Sequence, residues 1–402
     1  MKSIPKWIPG NIIFLIIFLE LAGFTYFSIT KTPVRDFEQY PTYIDFKWED
    51  DSAYYDIVHH ESTHFIDSGA YPWATWHTPN TTFKHASNCY NVTMIFNSLG
   101  ARGSIPDSTN SNTALMLGDS FAEGFGIEED STIAERYGRS TGMQTLNLGT
   151  SGHIGSTQMQ LIYDHFGSIF RHTKVYVLLY LANDFTENDI RNNDILAHGH
   201  RYRPYRDTQD ISRIIYKGSP DSTIASRKNL RELEKENAYR MGLKTFLKKD
   251  MSLPEKIIRL TYTARLLKLL KLRFVNHRKT AALEGSSPAE LEFDSTAFRI
   301  LEYDMEQIMH IADRNNATVC FINLPSQQLL TKSASQINTL KKYKSLELTL
   351  EKIAARGNHR YISFFDHLIR SKTDVNSIFF ACDHHFNDLG YALLNDLLRK
   401  HG

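Results

Sequence analysis

Hydrophobic positions divide this chain of 402 residues into four textures. Residues 1–10 are short and basic, with Lys2 and Lys6. From Asn11 to Ser28 the run NIIFLIIFLELAGFTYFS is largely apolar and uncharged apart from Glu20, and its length is just enough to cross a bilayer as a helix. Residues 29–110 are rich in Tyr, Trp, His, Pro and Asn, show little helical periodicity, and read as a lead-in that packs on another unit. From 111 to 402 short apolar runs alternate with helical patterns, which predicts parallel α/β units.

Five runs in that last region predict strands: TALML (Thr113 to Leu117), QTLNL (Gln144 to Leu148), KVYVLLYLA (Lys174 to Ala182), ATVCFINL (Ala317 to Leu324) and YISFF (Tyr361 to Phe365). Between them, STIAERYGRS, STQMQLIYDHFGSIF and FRILEYDMEQIMHIADRN carry helical spacing. A final helix is predicted over about Asn387 to Lys400, opened by Asn-Asp, with Leu389, Ala392, Leu393 and Leu397 at helical spacing. Residues from about 193 to 288 interrupt the alternation. Their basic, helix-patterned stretch predicts an insertion of two or three helices, whose basic face suits either an anionic membrane surface or solvent. Glu232, Glu234 and Glu236 interspersed in its early part favour solvent.

The N-terminal run is flanked by Lys2 and Lys6 on one side and Lys31 and Arg35 on the other, and no small-residue cleavage site follows it. A central charge such as Glu20 costs roughly 3 kcal/mol on insertion, which the surrounding Ile, Leu and Phe offset. The expectation is a retained single-pass signal anchor over 11–28, with the large domain outside the cytoplasm on the periplasmic or extracellular face. A buried or amphipathic N-terminal helix is the competing reading.

Composition narrows the classes. With 42% hydrophobic and 23% charged residues the chain is globular, and a net charge of +1 argues against nucleic acid or another polyanion as partner. Three cysteines, Cys89, Cys320 and Cys382, are too scattered for a disulfide framework or a metal knuckle. Sequons at Asn80, Asn91 and Asn316 matter only in a eukaryotic secretory pathway, for which nothing else speaks.

The candidate chemistry lies where the first α/β strand stops, in LMLGDSFAEGFG. A parallel sheet presents functional groups at the carboxyl ends of its strands. Gly118 suits a sharp turn there, and Ser120 then stands at a helix start, as a nucleophile or as a cap. A nucleophilic serine needs a histidine base and a third group to orient it. In FFACDHHFNDLGY, Asp383 and His385 are one residue apart on one predicted loop. Developing negative charge needs donors, and Gly152 in NLGTSGHIGST and Asn183 in YLANDF follow the next two strands. Each has a duller role available, in a turn or a cap; their order at three successive strand ends is what distinguishes them.

On these residues the chain resembles the SGNH/GDSL hydrolase family, in a membrane-anchored bacterial branch. GDSFAEGFGIEEDST is similar to its first block, LNLGTSGHIGS to the second, LANDF to the third and DHHFNDLGYALL to the last; NVTMIFNSLGARG is similar to the segment before the first block. The likeness covers roughly Asn91 to Gly402 apart from the insertion. It implies a three-layer α/β/α sandwich around a mostly parallel, flavodoxin-like sheet, and ester hydrolysis through an acyl-serine intermediate. Ser120 would be the nucleophile, His385 the base and Asp383 its orienting group. Ser120 N–H, Gly152 N–H and the Asn183 side chain would form the oxyanion hole. No metal or cofactor is implied. The substrate would be an ester, an O-acetylated carbohydrate being one candidate. Ala182 stands where the third block commonly has glycine, and Cys382 stands where the last block often has aspartate.

Three other readings compete. The same acyl-enzyme can pass its acyl group to a hydroxyl of an envelope polysaccharide, making an O-acyltransferase. His60, Glu61 and His64 form an H-E-x-x-H pattern, which on a helix binds zinc in peptidases. Weak helix formers around it, Gly69 and Pro72 soon after, and Asp67 and Ala70 in place of the extended motif's glycine and histidine favour a surface cluster. A non-catalytic scaffold is the last.

Overall fold

The structure, a computed structural model, describes residues 15, 17–25, 65–67, 71–77, 79–86, 90–150, 154–180, 184, 187–188, 203–217, 295–330, 337–380 and 385–401. The chain divides into two units: Met1–His60 with Ala86–Asn88 and Lys228–Glu284, and Glu61–His85 with Cys89–Arg227 and Gly285–Gly402. In the first, residue 15 and residues 17–25 are helical. No helix among the described residues is long and apolar enough to cross a membrane. The rest of the 11–28 segment lies outside the described residues.

The second unit opens with two short strand pairs, β1 (Phe65–Asp67) antiparallel to β2 (Thr75–His77), and β3 (Thr82–Ala86) beside β4 (Asn91–Ile95). Then come β5 (Thr113–Gly118), α1 (Ser120–Glu123), α2 (Ile133–Thr141), β6 (Gln144–Gly149), α3 (Ser156–Ile169) and β7 (Lys174–Leu179). A hairpin of β8 (Arg203–Arg206) and β9 (Ile214–Lys217) precedes α4 (Ser295–Arg314), β10 (Thr318–Asn323), α5 (Gln327–Leu330) and α6 (Ile337–Ala354). The chain closes with β11 (Arg360–Ser363), α7 (Phe364–Arg370), α8 (Val375–Ile378) and α9 (Asp388–His401).

Five strands pair in the order β11-β10-β7-β5-β6, all parallel. Numbered by chain order within the sheet this is 2-1-3-4-5, the flavodoxin-like winding. Side chains alternate across it. Leu115, Leu117, Leu146, Leu148, Val175, Val177 and Phe321 pack on α3, α4 and α6; Ala114, Met116, Tyr176, Leu178 and Ile322 pack on α1, α2, α7 and α9. Both faces are covered, which is why the strands read as continuous apolar runs. The result is a three-layer α/β/α sandwich.

The lead-in joins this core through Trp73 and Trp76, both fully buried on the α3 face, with Trp76 and Phe166 centroids 5.8 Å apart. Two sequence expectations differ from the structure. YISFF leaves the sheet at Ser363, because the Ser363 hydroxyl accepts from Asp366 N–H at 3.1 Å and starts α7, turning Phe364 and Phe365 into helix. Within the stretch expected to be a helical insertion, residues 203–217 form a hairpin. Asp207 and Asp210 make its turn by accepting from Gln209 and Ser212 N–H. The remainder of 193–288 lies outside the described residues, apart from this hairpin.

Candidate active site

Winding order decides where a site can form. At the junction between β5 and β7 consecutive connections depart to opposite sides of the sheet, and in open α/β sheets the carboxyl ends of the strands at such a junction are where ligands bind. Ser120 begins α1 immediately beyond β5. The approach is close enough to require glycine: a Cβ on Gly118, at φ +151, would lie 2.8 Å from Ala122 Cβ and Leu178 O. One on Gly149 would lie 2.1 Å from Glu123 N. Asp119 caps the short helix, its Oδ1 accepting from Phe121 N–H at 2.9 Å. Ser120 O in turn accepts from the N–H groups of Gly124 and Phe125, each at 3.0 Å.

His385 arrives from the far end of the chain on the loop between α8 and α9. Phe379 and Phe386 bridge this loop at its base, and Phe380 N–H donates to His385 O at 3.0 Å. Asn387 braces it by donating to Ser377 O and Phe379 O, while its Oδ1 accepts from Leu389 and Gly390 N–H at the start of α9. The Tyr391 hydroxyl donates to Phe121 O at 2.8 Å, tying α9 to the helix that carries Ser120. So held, His385 Nε2 lies 2.7 Å from Ser120 Oγ across 265 positions of sequence. The imidazole is buried against Phe125 and Phe121.

The other expected site residues, Gly152, Asn183 and Asp383, lie outside the described residues. The strands that lead to Gly152 and Asn183, β6 and β7, flank β5 on either side. Next to Asn183 in sequence, Asp184 is fully buried; burial and the charge of Asp119 hold its carboxyl well above the ordinary carboxylate range.

Two buried polar groupings that sequence reading missed support this end of the sheet. Arg102, fully buried, donates through Nη1 to Glu123 O at 2.9 Å and Gly124 O at 2.5 Å, and through Nη2 to Ile127 O. Beside it His77 Nε2 lies 3.3 Å from Glu123 Oε1, while its Nδ1–H donates to Gly100 O at 3.1 Å. Thus two lead-in residues hold the carbonyls and the acid at the end of α1. The second grouping centres on Asp304 of α4. Its Oδ2 accepts from Ser156 Oγ at 2.7 Å and Thr157 Oγ1 at 2.9 Å, and its Oδ1 from Arg206 Nε at 2.8 Å. Arg206 also reaches Gln160, Asn188 donates to Ser156, and Arg203 pairs with Glu187 at 2.5 Å. No sequence signal marked these. Among the described residues no group of three or more His, Cys, Asp or Glu side chains is placed to hold a metal ion. His60, Glu61 and His64 lie outside the described residues.

No family model and no curated protein matches the chain. Among solved structures it is similar to one titled as a putative platelet activating factor from Streptococcus pneumonia, at 11% identity and a TM-score of 0.33, covering 73% of this chain and 84% of that one. The sandwich and its winding order are consistent with an SGNH-like fold.

Proposed function

We propose that this chain is a serine ester hydrolase of the SGNH/GDSL type. The observation that carries the reading is the 2.7 Å contact between His385 Nε2 and Ser120 Oγ at the switch point of the sheet. In this mechanism Nε2 takes the serine proton as Oγ attacks the ester carbonyl. The resulting oxyanion is held by Ser120 N–H, Gly152 N–H and the Asn183 amide. His385, now protonated, delivers its proton to the leaving alcohol, and the acyl group remains on Ser120. A water molecule, deprotonated by the same nitrogen, then attacks the acyl-serine and releases the acid. Asp383 holds the imidazole's other nitrogen. Residues 11–28 anchor the domain to a membrane on its non-cytoplasmic side, a reading supported by the apolar run and its flanking bases.

The test is labelling of the full-length protein by a fluorophosphonate, with hydrolysis of 4-nitrophenyl acetate in parallel. Ser120→Ala should abolish labelling and lower ester turnover by at least about a thousandfold, with its thermal midpoint retained. Equal labelling of a folded Ser120→Ala variant would overturn the assignment.

A further inference from the structure

The contact between Ser120 and His385 depends on the plane of the imidazole, because rotation about its Cβ–Cγ bond swings Nε2 away from Oγ. Phe125 touches both partners. Phe125 donates its N–H to Ser120 O at 3.0 Å, and its ring lies against His385 with centroids 4.3 Å apart and planes 28° from parallel. A face laid nearly parallel resists turning of the imidazole, since rotation drives a ring edge into the phenyl face. The same face favours the cation that forms when the base takes its proton. Phe121 also meets His385, at 4.9 Å and 38°, farther away and more tilted.

Phe125 is itself held by several neighbours. Beneath it, the guanidinium of Arg102 binds the carbonyls of Glu123, Gly124 and Ile127, the residues that bracket the turn. Behind it stand two lead-in rings: His85, edge-on at 4.2 Å, and Tyr90, edge-on at 6.0 Å. The Tyr90 hydroxyl lies 3.4 Å from His85 Nε2, and the Tyr90 ring also packs on Phe380, whose N–H binds His385 O.

We propose that Phe125 is a positioning residue for the Ser120–His385 pair, fixing the plane of the base with its ring and the nucleophile's turn with its backbone, and that His85 and Tyr90 hold it in place. This rests on the ester hydrolase reading above. It makes the lead-in a working part of the site, although the sequence marks Phe125 only as one more apolar position after the serine.

The experiment measures kinact and KI for fluorophosphonate labelling of the full-length wild type, Phe125→Leu, Phe125→Tyr, Tyr90→Leu and Ser120→Ala, each with its thermal midpoint. Phe125→Leu keeps bulk and loses the aromatic face. Its kinact should fall about three- to tenfold, the range an aromatic contact commands, with KI within about twofold. Phe125→Tyr should recover most of the loss. If Phe125→Leu does not fold, Tyr90→Leu, at a partly exposed site, carries the test through a smaller fall in kinact at constant KI. An unchanged kinact in folded Phe125→Leu overturns the proposal. So does Phe125→Tyr being as slow as Phe125→Leu, because packing volume would then be all that mattered. Wild type labelling no faster than Ser120→Ala defeats the hydrolase reading itself, and the positioning role with it; that result is distinct from rapid wild-type labelling that Phe125→Leu leaves intact.

Discussion

Replacing Asp304 by alanine should be among the most destabilising single changes in the second unit, and the reason is electrostatic. The carboxylate is fully buried and receives Arg206 on one oxygen and two hydroxyls on the other. Burial raises its pKa, and Arg206 with the two hydroxyls only partly opposes that effect. The pair is therefore costly to bury and costlier still to break. Removing one partner of a buried pair leaves the other charge uncompensated, at about 3–5 kcal/mol. With a urea m-value near 3 kcal/mol/M, that loss moves the unfolding midpoint down by about 1–1.7 M. Trp73 and Trp76, buried on the same face of the sheet, supply a fluorescence signal for the measurement. The same physics predicts the opposite for a paired change: Asp304→Leu with Arg206→Met removes both charges, and should lie within about 2 kcal/mol of wild type. With Asp304→Leu and Arg206→Met as the single corners of the cycle, the coupling should be at least about 1 kcal/mol, and the double change milder than Asp304→Leu alone. A loss under about 1 kcal/mol in Asp304→Ala, or strictly additive effects of the two positions, would refute this reasoning.

Two further outcomes follow from local geometry. Gly118→Ala forces a methyl to within 2.8 Å of Leu178 O at φ +151; it should lose about 1–3 kcal/mol from overpacking and most of its fluorophosphonate labelling. Gly142→Ala, also at positive φ but with nothing within 4 Å, should lose about 1 kcal/mol and label normally. His172 and His359 are buried with pKa values lowered from 6.5, mainly by desolvation. Each binds its proton more weakly folded than unfolded, so their contribution is complete above pH 6.5 and is lost as pH falls through the folded value. The thermal midpoint should drop between pH 7.5 and 5.5, and the drop should shrink in His359→Gln, whose parent ring nitrogen accepts Val319 N–H at 3.1 Å; an identical drop in that variant would exclude His359 as a source.

What was legible in the sequence follows the physics of burial. The central strands β5, β7 and β10 are covered on both faces, so each is an apolar run with a recognisable end, and Thr113 to Leu117 was readable for that reason. The end of β11 was harder, because Phe364 and Phe365 continue the apolar run while the turn into α7 depends on one serine hydroxyl. The β8–β9 hairpin was not readable at all. Arg203, Pro204, Tyr205 and Arg206 are all buried, yet two of the four are charged, and what compensates them is carried by residues as distant as Asp304. A pattern of apolar positions has no means of showing a buried charge whose partner is about a hundred residues away.

The candidate site divides along the same line. Residue types and order point to Ser120 and His385 as candidates, because a serine at a strand end and a histidine before the last helix are local features. Their separation is not local: it is set by contacts that converge on α1. Gly118 and Gly149 let the helix sit against the strand ends, Asp119 caps it, Tyr391 reaches it from α9, and Arg102 with His77 reach it from the lead-in. A boundary drawn at residue 111 would divide this arrangement, leaving the carbonyls of Glu123, Gly124 and Ile127 without Arg102 and the buried Glu123 carboxylate without His77. Buried groups deprived of such partners are costly. Trp73, Trp76, His77 and Arg102 therefore belong to the same unit as the serine, although their sequence texture sets them apart from it.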